Sequence, residues 1–251
     1  FHNFTLLHDD IMDNAPLRRG QKTVHEKWNN NVAILSGDTM LVQAYQLMAE
    51  VDNAIVKQVL AVFSKAAIQV CEGQQCDMDF ETQSDVNIPD YLKMIEYKTA
   101  VLLGAALQIG GITAGASKEQ QNHLYAFGRD LGIAFQLKDD LLDAFGDADA
   151  FGKQVGGDIM ANKKTYLYLK ALALADGTQR QNLEQYFSTN DTSQVKVDAV
   201  KTIFSNLKIP ELTTNLIREY HARAMENLAA INSENKEPLL AFSALLMDRV
   251  S

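Results

Sequence analysis

Leu6-Leu7-His8-Asp9-Asp10-Ile11-Met12-Asp13 and Phe135-Gln136-Leu137-Lys138-Asp139-Asp140-Leu141-Leu142-Asp143 share one pattern, Asp-Asp-apolar-apolar-Asp. A helix advances by about 100° per residue, so positions 9, 10 and 13 fall within an arc of roughly 100°, as do 139, 140 and 143. Each copy is therefore expected to show three carboxylates on one helix face. In the first copy Phe4, Leu7 and Ile11 form an apolar stripe on the opposite side, as in a helix packed into a core. Like charges at this spacing cost a few tenths of a kcal/mol per pair, and enclosed carboxylates need a counter-charge. Oxygen-only ligands suit Mg²⁺, which takes one or two carboxylates, keeps waters and shares itself with phosphates. A solvated acidic face is the plain alternative for either copy alone, and a weaker one for both together.

The bulk properties narrow the field. The chain has 251 residues, 47% of them hydrophobic, enough for a sizeable core, with no low-complexity linker. Thirty-two acids against 23 bases give a net charge of −9, which excludes the basic stripe that nucleic acid requires. It does not exclude phosphate ligands, because a bound cation reverses the local field. Cys71 and Cys76 are not spaced as a zinc site, and a reducing, cytoplasmic setting fits them. No apolar run approaches the roughly 20 residues that span a bilayer.

Helical periodicity dominates, without sustained strand-like alternation. Helices are expected over 1–14, 32–51 and 54–79, then from Ile88-Pro89-Asp90 to about Ile109, where Gly110-Gly111 punctuates. Residues 117–145 carry the second acidic motif. Further helices are expected over 165–187, 193–206, 210–231 and 236–249. In the helix over 32–51, Ile34, Leu35, Leu41, Val42, Tyr45 and Met48 are apolar positions that make it amphipathic, which does not separate a dimer face from a core face. Ser36-Gly37-Asp38 reads as a point of close helix packing. Gly146 to Lys164, with four glycines, reads as a mobile loop. The expected fold is all-α, a single helical bundle over residues 1–251.

Two acidic faces in one all-α chain point to a polyphosphate, and Arg18, Arg19, Lys98, Lys153 and Lys163 are candidate cations for it. Arginine grips phosphate bidentately and lysine supplies a point charge.

Here the sequence resembles the trans-isoprenyl diphosphate synthases, or polyprenyl synthetases. Residues 7–13 with Arg18-Arg19-Gly20 look like the family's first aspartate-rich motif, and residues 135–143 like its second. Glu72-Gly73-Gln74 through Asp77, Lys98-Thr99, and Gly152-Lys153 through Gly156-Gly157-Asp158 and Lys163 follow the family's order. The resemblance implies a helical bundle around a central cavity and a homodimer formed by helices near 33–70.

It also implies roles. Asp9, Asp13 and Asp139 would ligate three Mg²⁺ ions with an allylic diphosphate of C5 to C15, supported by Asp10, Asp140 and Asp143. Arg18, Lys98, Thr99, Gln136 and Lys153 would hold that diphosphate, with Lys163 closing over it. His2 and Arg19 would bind isopentenyl diphosphate. The implied reaction ionises the allylic C–O bond and adds isopentenyl diphosphate to the cation. A proton then leaves for the departing pyrophosphate, and the chain is five carbons longer. One aromatic, Phe4, stands five positions before the aspartates, with Thr5 at the fourth, which resembles C20 synthases, with C15 the nearest competitor. A core role for Phe4 competes with a role as the floor of the elongation cavity.

The family carries a Gly-Lys-x-x-Arg motif upstream of residue 1, so amino-terminal helices are expected to be missing from this sequence. A class I terpene cyclase and a non-catalytic partner subunit are the rival functions. The doubled motif argues against the first, and the retention of all six acids against the second. A calcium loop at Asp147-Ala148-Asp149-Ala150-Phe151-Gly152, with Asp158 at its twelfth position, matches poorly. His8 reads as a packing or hydrogen-bonding residue.

Overall fold

A computed structural model of the chain describes residues 1–146 and 155–248. The chain folds as two compact units, Phe1–Ser64 and Lys65–Ser251.

The first unit begins with α1 (His2–Met12), followed by a hairpin of β1 (Leu17–Arg18) and β2 (Gln21–Lys22), a short α2 (Val24–Lys27) and α3 (Asn30–Ala49). The Asn29 side chain caps α3 by accepting a bond from Val32 N at 2.9 Å. Helix α1 lies against α3 so closely that a β-carbon at Gly37 would overlap the His8 ring. The small residues Ala33, Gly37 and Ala44 are accordingly the buried face of α3. Of the apolar positions of this helix, Leu41, Tyr45 and Met48 are half-buried. Ile34 and Val42 are exposed, and Leu35 is 67% exposed, because close helix approach selects small side chains at the contact and turns the large ones outward. Phe63, on the first turns of α4 (Val56–Thr82), anchors an aromatic cluster, with Tyr45 at 4.8 Å and Phe1 at 5.3 Å between ring centroids.

In the second unit Asn87 opens α5 (Ile88–Ile95) with a capping box to Asp90, and Pro89 sits harmlessly in the first turn. The helix then widens into a π turn over Glu96–Ala100 before continuing as α6 (Val101–Thr113). Gly110-Gly111 does not end α6. Gly115, at φ +73°, does so, with Ala116 N bonded to Gly111 O and Gly115 N to Ile112 O, a Schellman closure. Ser117 and Gln120 form a second capping box that starts α7 (Lys118–Phe145).

Helix α7 runs through the middle of this unit, and its glycines let neighbours approach. A β-carbon at Gly128 would meet the backbone of Gly104 on α6, and one at Gly132 would meet Ala100 of the π turn. On α4, a β-carbon at Gly73 would run into the backbone of Tyr97 and Lys98. The π turn is thus seated by glycines on two helices.

Beyond Gly146 the expected loop contains a short helix, α8 (Gly157–Met160), entered through Gly156 at φ +87°. The helix expected over 165–187 is two, α9 (Tyr166–Leu174) and α10 (Gly177–Phe187). They are divided where Asp176 caps α10 through a capping box with Gln179. Helices α11 (Gln194–Asn206), α12 (Ile209–Ala230) and α13 (Glu237–Asp248) complete the unit. Its core joins Tyr91, Ile95, Ala134 and Leu137 to Leu167, Leu183, Val197, Phe204 and Ile209. Each fully buried large apolar side chain contributes about 1.5–3 kcal/mol.

Candidate active site

Asp9 and Asp10 lie in the last turn of α1, and Asp13 is the residue that caps its carboxyl end. Asp10 is buried, Asp9 partly buried and Asp13 exposed. The hairpin returns a cation to them. Arg19 and Gly20 occupy its two-residue turn at φ +52° and +73°, a primed turn that matches the strand twist. Thr23 closes the loop by donating its hydroxyl to Ala15 O at 2.7 Å. Arg18 then donates Nε to Asp10 Oδ1 at 2.7 Å and Nη2 to Asp9 Oδ2 at 3.2 Å. Arg19 itself is exposed. The His2 imidazole is pushed below its ordinary value, first by burial and then by Arg19 and Arg18, so His2 shares the positive field of this hairpin. His8 packs edge-on against Phe4 at 4.7 Å, with Nε2 3.3 Å from Ile34 O, as a packing residue would. Phe4 is buried and touches Phe1 and His8 within the first unit.

The second motif repeats the arrangement in its own unit. Its middle acid, Asp140, is buried, while Asp139 and Asp143 are partly exposed. Tyr91 donates its hydroxyl to Asp140 Oδ2, and Gln136 donates Nε2 to Asp140 Oδ1 at 3.2 Å. Gln136 in turn accepts from Thr99 Oγ1 at 3.2 Å. A line of hydrogen bonds therefore joins the π turn to the acidic motif. The neighbouring π-turn residue, Lys98, places Nζ 2.6 Å from Asp77 Oδ2 on α4. Asp143 accepts Asp158 N on Oδ2 at 2.9 Å and Gly156 N on its carbonyl at 2.6 Å. Lys163 Nζ stands 3.7 Å from Asp158 Oδ1.

These acids crowd one another. Burial, then the charge of Asp158 and that of Asp139, push Asp140 up to about 8 against the opposing bonds from Tyr91 and Gln136. Burial also raises Asp158 to about 6; Lys163 opposes this, while Asp143, Asp139 and Asp77 add to it. Such a field favours a cation, and the donors are all carboxylates, as a hard divalent ion prefers. Among the described residues no group of three or more His, Cys, Asp or Glu side chains closes into a metal cage.

The doubled acidic pattern locates these surfaces, and Lys98, Thr99 and Gln136 assemble at the second. Lys153 and the poor calcium loop, Asp147 to Gly152, lie outside the described residues. Sequence reasoning missed Tyr91, whose only local signal is its place one turn after the Asn87 cap.

The polyprenyl synthetase family model matches residues 1–206. The chain belongs to the polyprenyl synthetase family. Over 250 residues it is 36% identical to a short chain isoprenyl diphosphate synthase of Methanothermobacter thermautotrophicus, covering 99% of this chain and 76% of that protein. A crystal structure of a geranylgeranyl pyrophosphate synthase superposes with a TM-score of 0.93 at 48% identity, over 100% of this chain and 78% of the other. A polyprenyl synthase of Caulobacter crescentus, crystallised with calcium and isoprenyl diphosphate, gives a TM-score of 0.88 at 27% identity, over 100% of this chain and 76% of that one. The all-α fold of this family is the fold observed. Among the described residues no helix is long and apolar enough to cross a membrane.

Proposed function

We propose that the chain is a Mg²⁺-dependent prenyltransferase that joins isopentenyl diphosphate to an allylic diphosphate of C5 to C15, giving a C20 (or C15) product and releasing pyrophosphate. The observation that carries this reading is the hydrogen-bonded line Thr99–Gln136–Asp140, which ties a lysine-bearing π turn to an acidic motif. π turns of this kind recur at functional sites. The relative crystallised with calcium and isoprenyl diphosphate supports a divalent ion beside this ligand class.

In this reading Asp9, Asp13 and Asp139 are metal ligands. Asp10, held by Arg18, and Asp140, held by Tyr91 and Gln136, fix the helices that present them. Bound Mg²⁺ would supply the positive field that stabilises charge on the departing pyrophosphate. Lys98, Thr99 and Gln136 orient the allylic diphosphate, and Lys153, Lys163 and Arg18 add charge to its grip. His2 and Arg19 receive isopentenyl diphosphate. Apolar residues must keep water from the allylic cation while the double bond attacks. A homodimer belongs to the same reading, supported by the exposed Ile34, Leu35, Val42 and Leu47 of α3. The free thiols of Cys71 and Cys76 support a cytoplasmic setting.

The test is incubation with Mg²⁺, isopentenyl diphosphate and each primer in turn, with products separated by chain length. Growth that stops at C20 or C15 supports the reading. A cyclised hydrocarbon, or no use of isopentenyl diphosphate, contradicts it.

A further inference from the structure

Lys196, in the first turn of α11, is only 1% exposed, although lysine is among the residues least often buried. Its Nζ lies 5.7 Å from the centroid of the Phe187 ring and donates to Asn162 Oδ1 at 2.6 Å. Asn162 sits at φ +57°, a left-handed conformation that asparagine tolerates better than most residues. Its Nδ2 donates to Thr189 O at 2.9 Å, so the amide is held on both sides. Asn162 immediately precedes Lys163, whose backbone N–H closes the turn onto Asp158 O at 2.9 Å. A β-carbon at Gly156 would strike Val197, the neighbour of Lys196, so α11 braces both ends of this segment.

The next residue is tied down as well. Lys164 donates Nζ to the carbonyls of Phe80 at 2.5 Å, Gln83 at 2.6 Å and Glu81 at 3.3 Å, at the carboxyl end of α4. The stretch from Gly156 to Lys164 is therefore fastened to α4, α7 and α11. A freely swinging lid would lack such ties.

We propose that Lys196 is a positioning residue: by gripping Asn162 it holds Asp158 and Lys163 in the orientation that receives a diphosphate. The proposal rests on the diphosphate reading above. Lys196 touches no reacting group, and its effect passes through Asn162.

Lys196→Met keeps the apolar stem and removes the donor. Asn162→Gly removes the acceptor, and glycine suits the left-handed backbone. Two readouts separate this proposal from the function it rests on. The first is amide hydrogen exchange over residues 155–165 in metal-free protein. The second is titration calorimetry with Mg²⁺ and inorganic pyrophosphate. Expected are faster exchange confined to 155–165 in both variants, and pyrophosphate binding weaker by about tenfold, as for one lost hydrogen bond to a charged group. The double variant is expected to be no worse than Asn162→Gly alone, which also loses the bond to Thr189 O, because Lys196→Met breaks only the contact that Asn162→Gly has already removed. Unchanged exchange in that segment, or losses that add, would overturn the proposal. Wild-type protein that binds no pyrophosphate would contradict the diphosphate reading, and exchange alone would then decide whether Lys196 braces the turn.

Discussion

Lys98 Nζ stands 2.6 Å from Asp77 Oδ2, and the pairing is possible only because Gly73, one turn earlier on α4, admits the backbone of Lys98. A methyl group at position 73 would collide with main chain, which cannot swing aside as a flexible side chain can. Gly73→Ala is expected to destabilise the protein by about 1–3 kcal/mol, the usual cost of overpacking a close contact. Urea midpoints at unchanged slope would measure it. A midpoint equal to wild type would mean that the π turn moves freely.

The same lysine carries a catalytic expectation. If Lys98 holds the diphosphate, Lys98→Ala removes a charged group aimed at the leaving pyrophosphate. Removing one such donor costs on the order of 10²–10³ in turnover. Steady-state rates of pyrophosphate release, with circular dichroism as the check on folding, give the answer. Asp77→Asn is expected to cost less, since its pairing with Lys98 is partly exposed to solvent.

Asp140 gives a pH dependence whose sign is fixed. Its carboxyl is pushed up to about 8 in the folded protein, from an ordinary value of 3.8. The native state therefore holds a proton that the unfolded chain has lost, and stability falls as pH rises between those values. The Asp140 contribution is full below about pH 4 and is lost through about pH 8. Metal-free protein is expected to melt lower at pH 8 than at pH 6, and Asp140→Asn, which mimics the protonated form, to flatten that slope. Thermal scans across this range without metal are the measurement. An unchanged slope in Asp140→Asn would assign the effect elsewhere.

The outward face of α3 bears on assembly. Leu35 and Val42 are 67% and 60% exposed. If a second copy covers them, Leu35→Glu with Val42→Glu should convert a dimer to a monomer in sedimentation velocity. Wild-type protein sedimenting as a monomer would remove this face from the dimer reading.

The sequence made the outline legible where periodicity and capping act locally. Helix α7 was readable almost to the residue because Ser117 and Gln120 form a box and Gly146 follows Phe145. The six aspartates were readable from their repeat. The division of labour within each motif was not, since burial of Asp10 and Asp140 depends on Arg18, Tyr91 and Gln136 arriving from elsewhere in the fold. Which apolar residues of α3 pack and which are exposed was not legible, because hydrophobicity alone cannot distinguish the two. Only the tight approach of His8 to Gly37 shows which side is inside. Asp176 was a legible cap, with Gly177 beside it and Gln179 three residues on, which the reading of 165–187 as one helix passed over. The π turn at Glu96–Ala100 has no sequence signature of its own and follows from the packing of Gly73 and Gly132.

In the proposed function each acidic motif contributes carboxylate ligands to Mg²⁺. Turnover of Asp9→Ala and Asp139→Ala, measured as pyrophosphate release at saturating Mg²⁺, tests it most directly. Each folded variant is predicted to lose on the order of 10²–10³ in rate. Turnover near wild type in both would contradict the claim.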